Sequence, residues 1–141
     1  AARIPLPAQN DPQPLPYLRG NDPWGLDVDL AVEWNGEVVS HPPYREMYWS
    51  PAQMLAHLTV NGASARTGDL FASGTISGPG KNRQGSIIEL TQGGRAPIIV
   101  DGEQRTFLLD GDVVVLTGNA PGSSGGRISF GEVRGRIVPA P

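Results

Sequence analysis

Hydrophobic and polar residues alternate most clearly between positions 26 and 34. Apolar side chains take every second position, and mostly acidic ones lie between them: Leu26, Val28, Leu30, Val32 and Trp34 alternate with Asp27, Asp29, Ala31 and Glu33. A period of two predicts a half-buried strand. The pair Asn35-Gly36 then favours a two-residue type I′ turn, and Glu37–Val39 begins a return strand. We therefore predict a β-hairpin at this position.

A second segment has the pattern of a helix. Ser50 can cap its N-terminus, Pro51 suits the first helical position, and Gln53 completes the spacing of a capping box. One face of the segment is formed by Ala52, Leu55, Ala56 and Thr59. Asn61-Gly62 supplies a left-handed stop. The sequence predicts one helix of about three turns.

The rest of the chain predicts short strands that are separated by tight turns. These strands are expected at Leu70–Ser73, Ser86–Thr91, Pro97–Val100, Arg105–Leu109, Val113–Thr117, Arg127–Phe130 and Arg134–Val138. Asp101-Gly102 offers a hairpin turn between the third and fourth of them. We expect a mainly β fold, a mixed roll or sandwich, with one short α-helix packed on it.

The first 23 residues differ from the remainder in their proline content. Six prolines in this stretch predict an extended segment of polyproline II type. We expect residues 1–23 to be a linker or arm and residues 24–141 to be one domain. The proline-rich start and the missing initiator methionine also suggest a domain cut from something longer.

Composition and charge exclude several classes of partner. With 141 residues the chain can bury a substantial core. Its net charge of −3 and its lack of a basic cluster argue against nucleic acid and anionic membranes. The absence of cysteine removes disulfides, thiolate metal sites and a cysteine nucleophile. We expect a soluble, cytoplasmic protein, since no apolar run reaches the length of a membrane span.

Glu89 is the first candidate for chemistry. It is a lone carboxylate in the predicted strand Ser86–Thr91, which has apolar residues on both faces. Burying a charge costs several kcal/mol unless the charge is paired or its pKa shifts. If Glu89 is buried, it is either satisfied by a partner or placed for acid–base work. The alternative is that Ile87, Glu89 and Thr91 form the solvent face of an edge strand. The strand pattern by itself favours the second alternative, in which Glu89 is exposed to solvent.

Thr75 is the second candidate, in the glycine-rich stretch 73–80. Hydroxyls and open backbone N–H groups among glycines suit the binding of a carboxylate or a similar anion. Ordinary turn chemistry is the alternative, and by itself it is the commoner one. The spacing of a phosphate-binding P-loop is absent, although Lys81 follows Gly80.

The remaining titratable residues do not define a site. His57 lies on the predicted helix without a partner at metal-ligand spacing, and His41 lies in a loop beside two prolines. We expect His57 to be structural, and neither histidine has a Ser or Asp neighbour that would suggest a catalytic triad. Asp110 and Asp112 flank Gly111 in what we expect to be an ordinary turn. No metal ligands are recognised in the sequence.

Seven segments together resemble the C-terminal region of the fumarylacetoacetase family. They are QNDPQPLPYL at 9–18, MYW at 47–49, VNG at 60–62, GDLFASGTISGP at 68–79, GSIIEL at 85–90, FLLDGD at 107–112 and RISFGEVRGRIVPA at 127–140. Each segment alone is weak, but their order and the long central segment are specific. The resemblance covers nearly the whole chain and implies the β-roll of that family's C-terminal part.

The resemblance implies a hydrolase that cleaves the C–C bond of 4-fumarylacetoacetate into fumarate and acetoacetate, in tyrosine and phenylalanine breakdown. In the family a glutamate orients a histidine that activates water, and this glutamate falls on Glu89. A threonine that binds the substrate carboxylate falls on Thr75. A divalent cation (Mg or Ca) and a homodimer are also implied.

The family's histidine, its carboxylate metal ligands and its other substrate contacts lie upstream of the matched region. His41 and His57 do not fall on the catalytic histidine. We therefore expect this chain to be inactive alone and to need an N-terminal portion of the enzyme as partner. The alternative is a non-catalytic β-rich binding or oligomerisation module, or an inactive fragment.

Overall fold

The computed structural model describes residues 2–20 and 24–141, which form three antiparallel sheets and two α-helices. The largest sheet has the strand order β4-β3-β7-β8, and the two small sheets pair β1 with β2 and β5 with β6. The strands are β1 Arg3–Pro5, β2 Trp24–Leu26, β3 Asp29–Trp34, β4 Glu37–Ser40, β5 Ile98–Val100, β6 Glu103–Arg105, β7 Val113–Pro121 and β8 Arg127–Arg136. The α-helices are α1 Pro51–Thr59 and α2 Ile87–Leu90, and 3₁₀ turns occupy Pro16–Leu18 and Tyr44–Glu46. The predicted mainly β fold is confirmed.

The predicted hairpin is present as β3 and β4. Asn35 and Gly36 both have positive φ, 51° and 88°, as a type I′ turn requires. The alternating stretch before the turn is not one strand, because the chain changes partner within it. Residues 24–26 pair with β1, whereas β3 pairs with β4 and β7.

The proline-rich segment contains more regular structure than an extended arm. Arg3–Pro5 pairs with β2, and Pro16–Leu18 forms a 3₁₀ turn, so the expected polyproline conformation does not hold there. Proline is tolerated at a strand end, where its missing N–H breaks no ladder bond. Residues 1 and 21–23 of the predicted segment lie outside the described residues.

Helix α1 begins with the predicted capping box. The Ser50 hydroxyl accepts from the Gln53 backbone N–H at 3.1 Å, and the Gln53 side chain accepts from the Ser50 N–H at 2.8 Å. Gln53 is buried, and its amide also donates to the Leu18 carbonyl at 3.0 Å and to Gln9 at 2.7 Å. One side chain thus caps the helix and attaches it to the N-terminal segment.

The other sequence-based strand assignments succeed only in part. Ile98–Val100 and Val113–Pro121 are strands, whereas the two strands expected between 127 and 138 are the single strand β8. No strand forms at 70–73, and β6 ends at Arg105. Among the described residues no helix is both long and apolar enough to span a membrane.

The strand expected at 86–91 is wrong, because residues Ile87–Leu90 form the one-turn helix α2. The Ser86 hydroxyl caps this turn by accepting from the Glu89 N–H at 3.3 Å. A short apolar run fits a strand or a buried helical turn equally well by period. Ile87 and Leu90 pack against the buried cluster of Trp34, Val39 and Val100. Packing of Ile87 and Leu90 against the core therefore holds helix α2, which contains Glu89, in place.

Candidate functional site

The glycine-rich stretch between Thr75 and Ser86 folds back on itself beside α2. The Gly78 N–H donates to the Arg83 carbonyl at 2.9 Å, and the Gly85 N–H donates to the Ser77 hydroxyl at 3.0 Å. These two bonds close a loop of about ten residues. The loop therefore has a defined conformation, although half of its residues are exposed and the others are only partly buried.

The two ends of this loop touch at Gly85. A Cβ added to Gly85 would collide with the Ile76 carbonyl oxygen and would lie 2.9 Å from the Thr75 Cγ2. Only glycine permits so close an approach. The contact places Thr75 at the base of the segment that carries Glu89, so the structure brings the two predicted site residues into one loop cluster.

Glu89 is exposed, and its carboxylate is hydrogen-bonded. The Ser77 and Ser86 hydroxyls both donate to its Oε2, each at 2.8 Å. The bonds from Ser77 and Ser86 lower the pKa of Glu89 below its ordinary value, against a smaller opposing effect of desolvation. Glu89 is therefore an anion at neutral pH. Its solvent exposure agrees with one of the two alternatives drawn from the sequence, but the strand that both assumed is absent.

The imidazole rings of both histidines have their hydrogen-bond partners outside this cluster, although the His41 backbone N–H donates to the Asn82 carbonyl in the loop at 2.8 Å. The His57 Nδ1 is 2.9 Å from the Tyr17 hydroxyl, and the His41 Nδ1 is 3.2 Å from the Leu30 carbonyl. Neither is a hydrogen-bond partner of Glu89 in the part of the chain that the structure describes. Across residues 2–20 and 24–141, no three His, Asp or Glu side chains converge on a possible metal position.

Sequence reasoning missed a buried carboxylate at Asp112. It is 5% exposed and forms an ion pair with Arg105. Its oxygens also accept from the Leu109 N–H at 2.7 Å and from the Asn35 amide at 2.9 Å. Burial raises the pKa of Asp112, but the hydrogen bonds and the charge of Arg105 outweigh it and hold the pKa below its ordinary value. Its turn is therefore not an ordinary one.

The serines that hold Glu89 were also missed, although one of them carries a local signal. Ser86 stands three residues before Glu89, which is the spacing of an N-cap residue and its N3 position. Ser77 lies twelve residues from Glu89, and nothing in the linear pattern joins the two. The contact becomes visible only when the glycine-rich loop is folded.

Comparison with known proteins assigns this chain to a family of hydrolase domains. The model of the fumarylacetoacetate (FAA) hydrolase C-terminal domain matches residues 6–138. The chain belongs to this family, as the resemblance of its motifs predicted.

Individual relatives agree with the family match. The chain is 45% identical to fumarylacetoacetase of Homo sapiens over 144 aligned positions, which cover 97% of this chain and 34% of that protein. It is 45% identical to the Caenorhabditis elegans fumarylacetoacetase and 40% identical to the Arabidopsis thaliana one, over 92% and 94% of this chain. The chain spans about a third of the length of these relatives.

Proposed function

We propose that this chain is the C-terminal portion of a fumarylacetoacetase, which hydrolyses the C–C bond of 4-fumarylacetoacetate to fumarate and acetoacetate in tyrosine degradation. One observation carries the proposal: an ionised, hydrogen-bonded Glu89 lies in the same loop cluster as Thr75. The 45% identity to a fumarylacetoacetase across 97% of the chain supports the choice of substrate.

In this proposal Glu89 acts through a histidine that lies outside this chain. An anionic carboxylate that accepts from one imidazole nitrogen fixes the tautomer, so the other nitrogen is free to take a proton from water. The lowered pKa of Glu89 supports this role, because a protonated carboxyl would lose its charge. Glu89 therefore orients and polarises the base and does not itself attack the substrate.

Thr75 is proposed to bind a carboxylate of the substrate. Its side chain is exposed at the end of the closed loop, next to Gly74, which has a φ of 78°. A hydroxyl donor contributes the same hydrogen bond before and during the reaction. Loss of that bond should weaken binding more than it slows turnover.

A divalent cation is implied for the complete enzyme, but the described residues of this chain do not fit one. No three carboxylate or imidazole groups among them converge. We propose that an N-terminal portion of the enzyme supplies the ligands for Mg or Ca, together with the catalytic histidine. In this proposal the chain's own residues orient the histidine and bind the substrate.

Two further properties belong to this proposal. We propose a homodimer, which the family resemblance implies, and the exposed outer strand β8 offers an edge for contact with another chain. We also propose a cytoplasmic location, consistent with an acidic composition without cysteine.

The experiment is a fusion of this chain to the upstream two-thirds of human fumarylacetoacetase. We expect the fusion to consume fumarylacetoacetate, and we expect Glu89→Gln to abolish this hydrolysis without loss of fold. Thr75→Val should raise KM by about tenfold with a smaller effect on kcat. Thr67→Val, at another exposed threonine upstream of the loop, is the matched control. A fusion that is folded by circular dichroism but inactive would refute the proposal.

A non-catalytic interaction module is the second candidate. It is favoured by the apolar side chains that β8 exposes, Ile128, Phe130 and Val133, which are 52%, 61% and 69% exposed. Patches of this kind often mark interaction surfaces. An inactive fusion, combined with self-association of the isolated chain that is lost on Phe130→Ser, would support this candidate over the enzyme.

A further inference from the structure

We propose that Ser77 and Ser86 are positioning residues that hold Glu89 by one carboxylate oxygen and present the other oxygen to the incoming imidazole. The proposal rests on the function proposed above, because it concerns the same glutamate. It adds to that function the part of this chain that sets the direction of the carboxylate.

The first step concerns where the two hydroxyl protons point. An ionised carboxylate can only accept hydrogen bonds, so both serines donate to Glu89. Each hydroxyl oxygen in turn accepts from a backbone N–H: Ser77 from Gly85 at 3.0 Å and Ser86 from Glu89 at 3.3 Å. The backbone thus determines the orientation of both hydroxyls, and their protons are directed at the carboxylate.

The second step concerns the asymmetry of the carboxylate. Both hydroxyls bind Oε2, each at 2.8 Å, and no donor among the described residues is recorded at Oε1. Ser86 lies in the same helical turn as Glu89, whereas Ser77 reaches it from across the loop. Two donors from different segments restrict rotation of the side chain better than one. Because Glu89 is exposed, its Oε1 is left available for a partner from outside the chain.

The third step concerns the charge. Both donors are neutral, so they stabilise the anion without cancelling it, and a cationic partner would compete with the imidazole. The pKa of Glu89 is lowered chiefly by the bonds from Ser77 and Ser86, in agreement with this geometry. When the complete site excludes water, these bonds offset part of the cost of desolvating the carboxylate.

The test is a side-chain NMR titration of Glu89 in the 141-residue chain. We expect Ser77→Ala to raise the pKa of Glu89 towards its ordinary value, and Ser77→Thr, which keeps the hydroxyl, to restore the low value. Ser86→Ala gives a second measurement of the same rise. Ser73→Ala is the matched control, since the Ser73 hydroxyl donates only to its neighbour Gly74, at 3.1 Å. Backbone amide spectra of the core residues Trp34 and Val100 check the fold.

The proposal is overturned if Glu89 titrates like an ordinary glutamate in the unaltered chain. It is also overturned if neither alanine variant shifts the titration, or if Ser73→Ala shifts it equally. These results do not depend on hydrolysis, so they separate this proposal from the enzymatic one. Suppose that the fusion is folded but inactive and that Ser77→Ala still raises the pKa of Glu89. This result would refute the proposed enzymatic function but support the hydrogen bonds from the serines to Glu89.

An activity measurement completes the test in a fusion that hydrolyses fumarylacetoacetate. Ser77→Ala should lower kcat by about tenfold with little change in KM, because the hydroxyl acts on the base and does not touch the substrate. The acidic limb of the pH–rate profile, which reports the histidine base, should move to higher pH, because a carboxylate that has lost a hydrogen-bond donor stabilises the imidazolium more strongly. An unchanged kcat and pH profile would overturn the positioning role.

Discussion

Asp112 and Glu89 are two carboxylates of this chain that differ in their burial and in the charge of their partners. Asp112 is 5% exposed and is paired with the guanidinium of Arg105, whereas Glu89 is exposed and bound by two neutral hydroxyls. Both have a lowered pKa, so both are anions at neutral pH. The difference is that a cationic side chain pairs with Asp112, whereas none of the ion pairs among the described residues includes Glu89.

This difference separates a structural carboxylate from one that is available for chemistry. Asp112 joins three parts of the fold: its oxygens bind Asn35 at the β3–β4 turn, Arg105 at the end of β6, and the Leu109 N–H before β7. Arg105 also lies over the ring of Trp34, 4.9 Å from its centroid. A charge that holds elements together is best paired, whereas a charge that polarises a partner must remain uncompensated.

The largest effect is expected at the buried carboxylate. Asp112→Ala leaves the largely buried side chain of Arg105, which is 10% exposed, without a counter-charge and removes an acceptor from two other donors. We expect it to lower the free energy of unfolding by about 3–5 kcal/mol, measured by urea denaturation. Asp110→Ala, on the exposed side of the same turn, is the control and should change it by less than about 0.5 kcal/mol. Equal effects of the two substitutions would contradict the structural role of Asp112.

The next effect is expected at Gly85, where the loop of Glu89 is closed. A methyl group there meets the Ile76 carbonyl, so the loop must open. We expect Gly85→Ala to cost about 1–3 kcal/mol and to raise the pKa of Glu89, because Ser77 is displaced. Gly135→Ala in β8, where the added carbon meets nothing within 4 Å, is the matched control. If Gly85→Ala changes neither the stability nor the pKa of Glu89, the closure of the loop at Gly85 does not position Glu89.

The sequence predicts these two regions unequally, for a physical reason. The hairpin at Asn35-Gly36 and the cap at Ser50 were predictable, because each depends on residues within four positions of one another. The contacts of Asp112 with Asn35 and of Ser77 with Glu89 join residues 77 and 12 positions apart. Glu89 was singled out first as a lone carboxylate among apolar residues and then through the family resemblance, but its helical setting was not predicted, because Ile87-Ile88 suits a strand equally well.

Protonation at low pH should reduce the stabilising contributions of both Asp112 and Glu89, but to different extents. A lowered pKa contributes stability that is fully present above the unfolded-state pKa and is lost as the pH falls through the folded-state pKa. We therefore expect the free energy of unfolding to decrease below about pH 4, mainly because Asp112 is protonated. Asp112→Asn should flatten this decrease, whereas Glu89→Gln should hardly alter it. Urea denaturation from pH 7 to pH 2 measures how steeply the free energy of unfolding depends on pH in each variant. If only Glu89→Gln reduces this dependence, Glu89 and not Asp112 is the carboxylate that stabilises the fold.

The smallest effect on stability is expected at Glu89 itself. Glutamine has the same shape, its amide oxygen can accept from Ser77 and Ser86, and the side chain is exposed, so little burial energy is at stake. We expect Glu89→Gln to change the free energy of unfolding by less than about 0.5 kcal/mol. The same substitution should abolish hydrolysis in the fusion, since an amide lacks the negative charge that polarises the imidazole. A loss of stability comparable to that of Asp112→Ala would show that Glu89 serves the fold. Unchanged stability with lost activity would instead indicate that the glycine-rich loop and the two serines hold Glu89 for catalysis and not for the stability of the fold.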